Sequence, residues 1–450
     1  MASTLKPHAR LGYGLGSLAT GAFGTVPGLL LLPYLTDRLG VAAGIAGLIV
    51  LLPKAWDVLL NPIAGRISDR SEHPEGRRRW FLIRAGLVLA VLFALIFAGP
   101  TAPPGLAATW VLVAFLACAS AYAFFQVPYV AMPAEMTDDA GERTRIMTWR
   151  VAILALAILL SGGLSPMIRD GFGVEWGYRA VGIFVGVLIA IGAFAAWHGT
   201  RHAPEAPISA PAAGLAEQLR LVWRSRDFRA LLVTFVVQAL AVGAMLAGVD
   251  YLARWVLGST GASTVLFVCF VGPALLVTPL WQRLGEHRDK RAGYAAASLL
   301  MAIGALAVYL LRGSGLVAIA LAVTLIGIGY AGAQMFPLSM LGDTSRADAE
   351  TSRQNRVGVF TGVWTAGETL GLALGPALYA GVLAAGGYVS STGDGVSQPA
   401  SAVHAVALGF GLIPAALIAL SFLALRGYGR GATAVHGPDT DGTEPDKEHA

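Results

Sequence analysis

Stretches of about 20 predominantly apolar residues recur along this chain, and each is long enough for a helix to cross a hydrocarbon core roughly 30 Å thick. Twelve of them fall at residues 11–36, 43–66, 80–99, 107–133, 147–168, 180–199, 229–252, 262–283, 292–311, 315–341, 357–381 and 403–425. Only 13% of the residues are charged, 56% are hydrophobic, and mean hydropathy is +0.65. A soluble protein carries about 25% charge. The spacing therefore predicts an all-α membrane protein of twelve transmembrane helices.

The few charges are informative because they are costly. Lys54 and Asp57 lie three residues apart inside the second stretch. Each costs about 2.5–3.5 kcal/mol near a bilayer centre on insertion scales. The i, i+3 spacing puts both on one helix face, where they can neutralise each other and face a polar interior. Two readings follow: an ion pair that stabilises packing, or a cation or proton site.

Most of the remaining Lys and Arg cluster in alternate loops. Arg66, Arg70, Arg77, Arg78 and Arg79 lie between the second and third stretches, and Arg283, Arg288, Lys290 and Arg291 between the eighth and ninth. Arg143 and Arg145 follow the fourth; Arg346, Arg353 and Arg356 follow the tenth. Residues 98–107 and 382–402 contain neither Lys nor Arg. The positive-inside rule then places both termini and the central loop in the cytoplasm. Orientation accounts for the net charge of +5 without a nucleic-acid partner. Lys6 and Arg10 precede a stretch too long for a signal peptide, so the first span is expected to stay in the mature protein. Cys118 and Cys269 fall inside different spans and read as core residues rather than a disulfide.

The chain echoes itself. Pro62, Arg66 and Asp69 after the second span match Pro279, Arg283 and Glu286 after the eighth; Pro128, Met132 and Glu135 match Pro337, Met340 and Asp343 more loosely. A parallel repeat of two six-span halves is expected. The halves are 1–199 and 229–426. They are joined by a cytoplasmic linker at 200–228, where Leu215, Leu219, Val222 and Trp223 suggest an amphipathic surface helix. The Gly/Pro-rich tail at 427–450 reads as disordered. Glycines within the spans, such as Gly12, Gly14 and Gly16 or Gly327, Gly329 and Gly332, read as close helix crossings, not phosphate loops. Neither metal-ligand spacing nor a nucleophile–base constellation is present, so no enzymatic activity, metal or organic cofactor is expected.

Several motifs occur in order on the matching spans. In the first half these are Trp56-Asp57, then Asn61-Pro62-Ile63-Ala64-Gly65 and Asp69-Arg70, then Val127-Pro128-Tyr129, Glu142-Arg143 and Trp149-Arg150. The second half has Tyr251, Leu341-Gly342-Asp343-Thr344, Arg356, and Phe360-Thr361-Gly362-Val363-Trp364 leading to Leu374-Gly375-Pro376. Over residues 11–425 the chain resembles the glycoside–pentoside–hexuronide:cation symporters, the major-facilitator branch that contains the melibiose permease. The resemblance implies alternating-access transport of a small solute, commonly a glycoside, with H+, Na+ or Li+.

Carried over by position, Asp57 corresponds to a cation-site carboxylate, with Lys54 beside it and Asn61 in place of a second carboxylate. Arg150 and Tyr122 correspond to residues near the sugar. Gln126 replaces a sugar-binding aspartate, as Gly21 does on the first span. Val130 and Gln334 replace aromatic residues, and Thr369 replaces a lysine next to Glu368. Tyr129, Gln126, Gln334, Trp364 and Glu368 complete the expected solute-binding set: Gln126 offers a donor and an acceptor, and Trp364 and Glu368 share a helix face. Asp69, Arg70, Glu135, Arg143 and Asp343 are expected to latch the cytoplasmic ends. With one carboxylate fewer, the oxygen cage for Na+ is thinner, which favours H+ as the coupling ion. The expected protein is an inner (plasma) membrane symporter, functional as a monomer. Carriage of an amphipathic solute such as a lysolipid, uncoupled facilitation, and a non-transporting sensor are the alternatives.

Overall fold

The structure, a computed structural model, describes residues 7–74, 76, 78–137, 139–204, 220, 223–287, 289–352, 357–392 and 396–429. Among the described residues, twelve helices are long and apolar enough to cross a membrane. We number them α1 (Pro7–Asp37), α2 (Ala43–Asp69), α3 (Arg79–Ala98), α4 (Pro104–Pro133), α5 (Gly141–Gly171), α6 (Gly173–Thr200), α7 (Arg226–Val256), α8 (Ala262–Gly285), α9 (Lys290–Leu310), α10 (Leu316–Asp348), α11 (Val359–Ala385) and α12 (Ala400–Leu425). The predicted all-α fold of two six-helix halves is what forms. Leu215, Leu219, Val222, Arg77, Arg288, Arg353, Arg356 and the tail beyond residue 429 lie outside the described residues.

Helix ends follow local chemistry. On the side that carries the basic loops, Asp139 accepts from the backbone N–H groups of Gly141 and Glu142 at 2.7 and 3.2 Å, which starts α5 six residues before its apolar run. Ser225 and Asp289 cap α7 and α9 in the same way. On the opposite side, here called the far side, Gly173 takes a left-handed φ of +70°. That single turn joins α5 to α6 where the sequence suggested a longer loop, because glycine adopts this conformation without a Cβ clash. α1 and α7 each contain a widened π-helical turn, at Pro27–Leu31 and Leu252–Val256. Such turns are frequent at functional positions.

Lipid supplies no hydrophobic drive between helices, so close approach rests on small residues. A Cβ at Gly12 would sit 2.6 Å from the Gly199 Cα, and one at Gly375 would sit 2.4 Å from the backbone of Gly243 and Ala244. Gly327 and Gly329 likewise abut backbone carbonyls of Phe270 and Ala297, each at 2.5 Å. Large apolar side chains point outward at helical spacing, as Leu299, Ile303, Leu306 and Leu310 do on α9. These faces meet the lipid.

The halves meet along α2 with α11, α5 with α8, and α1 with α7. Gly47 of α2 packs on Ala377 and Ala380 of α11, Gly162 of α5 on the Phe267 ring of α8, and Gly28 of α1 on Leu246 of α7. Gly375→Ala should lower the melting temperature of detergent-solubilised protein, because overpacking costs about 1–3 kcal/mol. Gly381→Ala, with no atom within 4 Å of the added Cβ, should leave it unchanged; a static-light-scattering melt of both variants checks this.

Candidate functional site

α2 presents Lys54, Asp57 and Asn61 on one face. Asp57 is 5% exposed, and its Oδ1 and the Asn61 Oδ1 are buried without a hydrogen-bond partner. Lys54 does not close onto Asp57 as a salt bridge. Its Nζ lies 4.9 Å above the Phe23 ring of α1, although the two charges still act on each other. Tyr122 of α4 stacks on the same Phe23, with centroids 4.0 Å apart, and its hydroxyl lies in the field of both Asp57 and Arg150. One turn on, Gln126 buries an Oε1 that accepts nothing.

Arg150 of α5 faces this cluster. Its guanidinium sits 5.7 Å over the Tyr129 ring, and its Nε is buried without a partner. Tyr129 is fully buried. It stacks on Tyr13 at 4.6 Å and donates its hydroxyl to the Tyr13 carbonyl at 2.7 Å. It therefore supports Arg150 rather than lining open space.

The other half contributes a second polar group. Gln334 of α10 donates to the Tyr330 hydroxyl at 2.9 Å and also bonds Glu368 of α11. Phe235, Gln238, Tyr330, Gln334, Glu368 and Leu372 line a small cavity there. Trp364, one turn from Glu368, is 1% exposed and stacks on Phe235 at 4.2 Å, so its ring is committed to packing. Gln238 was not expected from the sequence. It donates to Ser298 and Ser421, accepts from Tyr294, and ties α7 to α9 and α12; a lone glutamine inside an apolar run was the available signal.

Helix arithmetic relates the two groups. α2 and α11 run antiparallel and touch where Gly47 meets Ala377 and Ala380. Asp57 and Glu368 each lie about ten residues from that contact toward the basic side, a rise of about 15 Å. Both carboxylates therefore sit at the same depth on opposite sides of the boundary between the halves.

The far side of that boundary is closed by charges. Arg169 of α5 donates to Asp250 of α7 at 2.7 Å, with the two side chains 4% and 0% exposed. Asp250 also accepts from Ser263 at 2.8 Å and pairs with Arg254 at 2.9 Å. The pair with Arg254 is an i, i+4 contact on one helix, whereas Arg169 lies 81 residues away on α5. Above them, Thr36 and Tyr251 share a 2.6 Å hydrogen bond, and the Ser391 N–H donates to the Thr36 carbonyl at 2.9 Å. Tyr388 donates to Asp37 at 2.7 Å; burial and the Asp37 carboxylate push its phenol above the ordinary range, so it stays protonated.

On the basic side, the described ion pairs stay within one half. Arg10 pairs with Glu142, Lys290 with Asp343 at 2.6 Å, and Arg78 with Asp69 and Glu135 at 2.8 and 2.6 Å. Burial opposes the charge of Arg78, but the two carboxylates more than offset it and hold its pKa above the ordinary value. Arg143 donates to the Thr137 carbonyl at 3.0 Å, and Arg70 is exposed at the end of α2.

Removing one partner of a buried ion pair costs about 3–5 kcal/mol. Asp250→Ala should therefore loosen far-side closure. In a Cys118→Ala, Cys269→Ala background carrying Leu246→Cys, which lies inside that closure, maleimide labelling from the far side should rise severalfold with Asp250→Ala.

Residues 12–429 match the family model described as MFS/sugar transport protein. Among curated proteins, the chain is 23% identical to the inner membrane symporter YicJ of Escherichia coli K12, covering 94% of this chain and 92% of that one. It is 24% identical to the putative glycoside/cation symporter YagG of the same organism (93% and 91%) and 21% identical to the isoprimeverose transporter of Lactiplantibacillus pentosus (93% and 88%). Among solved structures, a bacterial homolog of the human lysosomal transporter Spinster superposes with a TM-score of 0.68 at 18% identity, covering 94% of this chain and 98% of that one. A bacterial homologue of the peptide transporters PepT1 and PepT2 gives 0.69 at 13%, with the same coverage. With its twelve spans, two halves and ordered motifs, the chain belongs to the major-facilitator sugar transporters, in the branch of the glycoside–pentoside–hexuronide:cation symporters.

Proposed function

We propose that this protein is a secondary active transporter that couples entry of a small hydroxylated solute to a proton. The observation that carries the coupling is Asp57. A carboxylate held in a membrane span with a buried oxygen that no donor satisfies is held at a cost of several kcal/mol unless it binds something. A proton satisfies it without a cage. A sodium ion would ask for several oxygen ligands, and Asn61 supplies an amide where a second carboxylate would be stronger. The names of two relatives, a putative glycoside/cation symporter and an isoprimeverose transporter, support a sugar-type solute.

In this reading, Tyr122, Gln126 and Arg150 hold the solute from one half, and Gln334 and Glu368 from the other. Tyr129 and Trp364 set the positions of Arg150 and Phe235 from behind. The protein lies in the inner (plasma) membrane with both termini cytoplasmic, so the far side is the outer one. The closed state is then the one in which solute and proton leave to the cytoplasm. Return requires the Arg169–Asp250 contact to part and the basic ends to approach, where Asp69, Arg70, Glu135, Arg143 and Asp343 exchange partners across the halves. A monomer suffices for this cycle.

One proton moving down 100 mV supplies about 2.3 kcal/mol, enough for roughly 50-fold accumulation. Proteoliposomes on a solid-supported membrane test the coupling. Glycosides, pentosides and uronides should include one that evokes a current; the current should follow the pH gradient, ignore Na+, and disappear in Asp57→Asn. A solute current that follows Na+ at constant pH would reject the proton.

A further inference from the structure

We propose that the basic-side crossing of α1 and α6 holds an anionic phospholipid, with its phosphate on Arg201 and one acyl chain along Leu11 and Leu15. The site lies within the first half and does not depend on the solute cleft. It begins with two glycines. Gly12 of α1 meets Gly199 of α6 so closely that a Cβ on Gly12 would stand 2.6 Å from the Gly199 Cα. With no side chain at either position, a groove of about 390 Å³ lies over the crossing. That is within the range of roughly 300–1,000 Å³ usual for small-molecule sites.

The groove changes character along its length. Leu15 and Phe194 line one end, and His8, Arg201 and His202 the other. Seven residues separate Leu15 from His8, and Phe194 from Arg201, a rise of about 10 Å. Leu11 and Phe194 are 44% and 53% exposed, so the apolar wall is open. Trp197 packs beside Phe194 with centroids 5.7 Å apart, and tryptophan favours the membrane–water interface. The apolar end is then level with acyl chains and the basic end with headgroups.

The basic end is held in place. Arg79 of α3 donates to the Arg201 and Ala203 carbonyls, which ties the end of α6 to α3. Arg201 also borders a second hollow, together with His73 and Arg79. Among the described residues, no Asp or Glu lines either hollow, and Arg201 and His202 are exposed without an ion pair. A guanidinium presents a planar fork to phosphate, and an imidazole adds an N–H donor in either protonation state. Basic pockets between transmembrane helices take anionic headgroups for this reason. A soluble anion would leave the apolar wall uncovered. A zwitterionic lipid would bring a further cation to a rim with no acid to receive it.

The test uses the full chain in detergent, titrated with phosphatidylglycerol or phosphatidylcholine of the same chains and read by native mass spectrometry. One cation near an anionic leaflet is worth about fivefold in affinity, so the first phosphatidylglycerol should bind at least about fivefold more tightly than phosphatidylcholine. It should also raise the melting temperature further. Arg201→Gln should remove most of that preference, whereas Arg346→Gln, at an exposed arginine on the basic side of the other half, should not. Phosphatidylglycerol with a diazirine on its acyl chain should crosslink the wild-type protein within residues 8–15 or 194–202, a reading that needs no variant to fold. Glycerol 1-phosphate should not compete. Equal binding of the two lipids, an unchanged preference in Arg201→Gln, or labelling confined to other helices would overturn the proposal. Competition by glycerol 1-phosphate at the potency of the lipid would also overturn it, by showing a phosphate site that needs no acyl chain.

Discussion

A charge inside a bilayer-spanning helix has no water to return to, and that constraint sorts the described ionisable side chains within the spans. Insertion scales set the cost at about 2.5–3.5 kcal/mol per charge near the bilayer centre. At the far side, Arg169, Asp250 and Arg254 satisfy one another across the boundary between the halves. At the centre, Lys54, Asp57 and Arg150 rest on aromatic rings or on nothing. The first set holds a conformation. In the proposed reading the second takes up a proton and a solute, and the depth shared with Glu368 supports a ligand reached from both halves.

Small residues make that arrangement possible. Gly47 against Ala377 and Ala380, and Gly28 against Leu246, let the helices of the two halves touch on the far side. The bulkier cleft-facing residues lie farther toward the basic side, where the halves are no longer held by such contacts. The widened turns in α1 and α7 fall beside the closure, at Pro27–Leu31 and Leu252–Val256. A helix with one loosened turn can tilt its end without losing its remaining hydrogen bonds. Both turns sit in the elements that must move when the far side opens.

Much of this was legible in the chain. The twelve spans, their order and the placement of Lys54 and Asp57 on one face all follow from length, hydropathy and helical periodicity. The ordered motifs then led to the family. What periodicity could not show was distance across the fold. Nothing local links Arg169 to Asp250, which is 81 residues away in sequence and lies in the other half. The i, i+3 spacing of Lys54 and Asp57 left open whether they close as an ion pair, and the ammonium turns instead to Phe23 of α1. Trp364 read as a solute platform, and only its stacking on Phe235 shows that ring to be packed away. Each difference comes from a partner on another helix, which no local pattern encodes.

The far-side closure also explains why charges, rather than more apolar packing, suit a gate. A buried ion pair gains Coulomb energy but gives up hydration of both partners, and the two terms nearly cancel. Arg169 and Asp250 therefore hold the halves in register while closed, with little net preference to be overcome when water reaches them. The bond is directional and fails when one partner is missing, so it specifies a single closed geometry. An apolar seam of the same area would lose roughly 25 cal/mol for each Å² exposed on opening, a penalty that grows with the seam. Over the few hundred Å² a gate must cover, that penalty would exceed the 2.3 kcal/mol that one proton brings at 100 mV. Where Arg169 and Asp250 take the place of further apolar area beside Gly47 and Gly28, that part of the opening penalty is avoided.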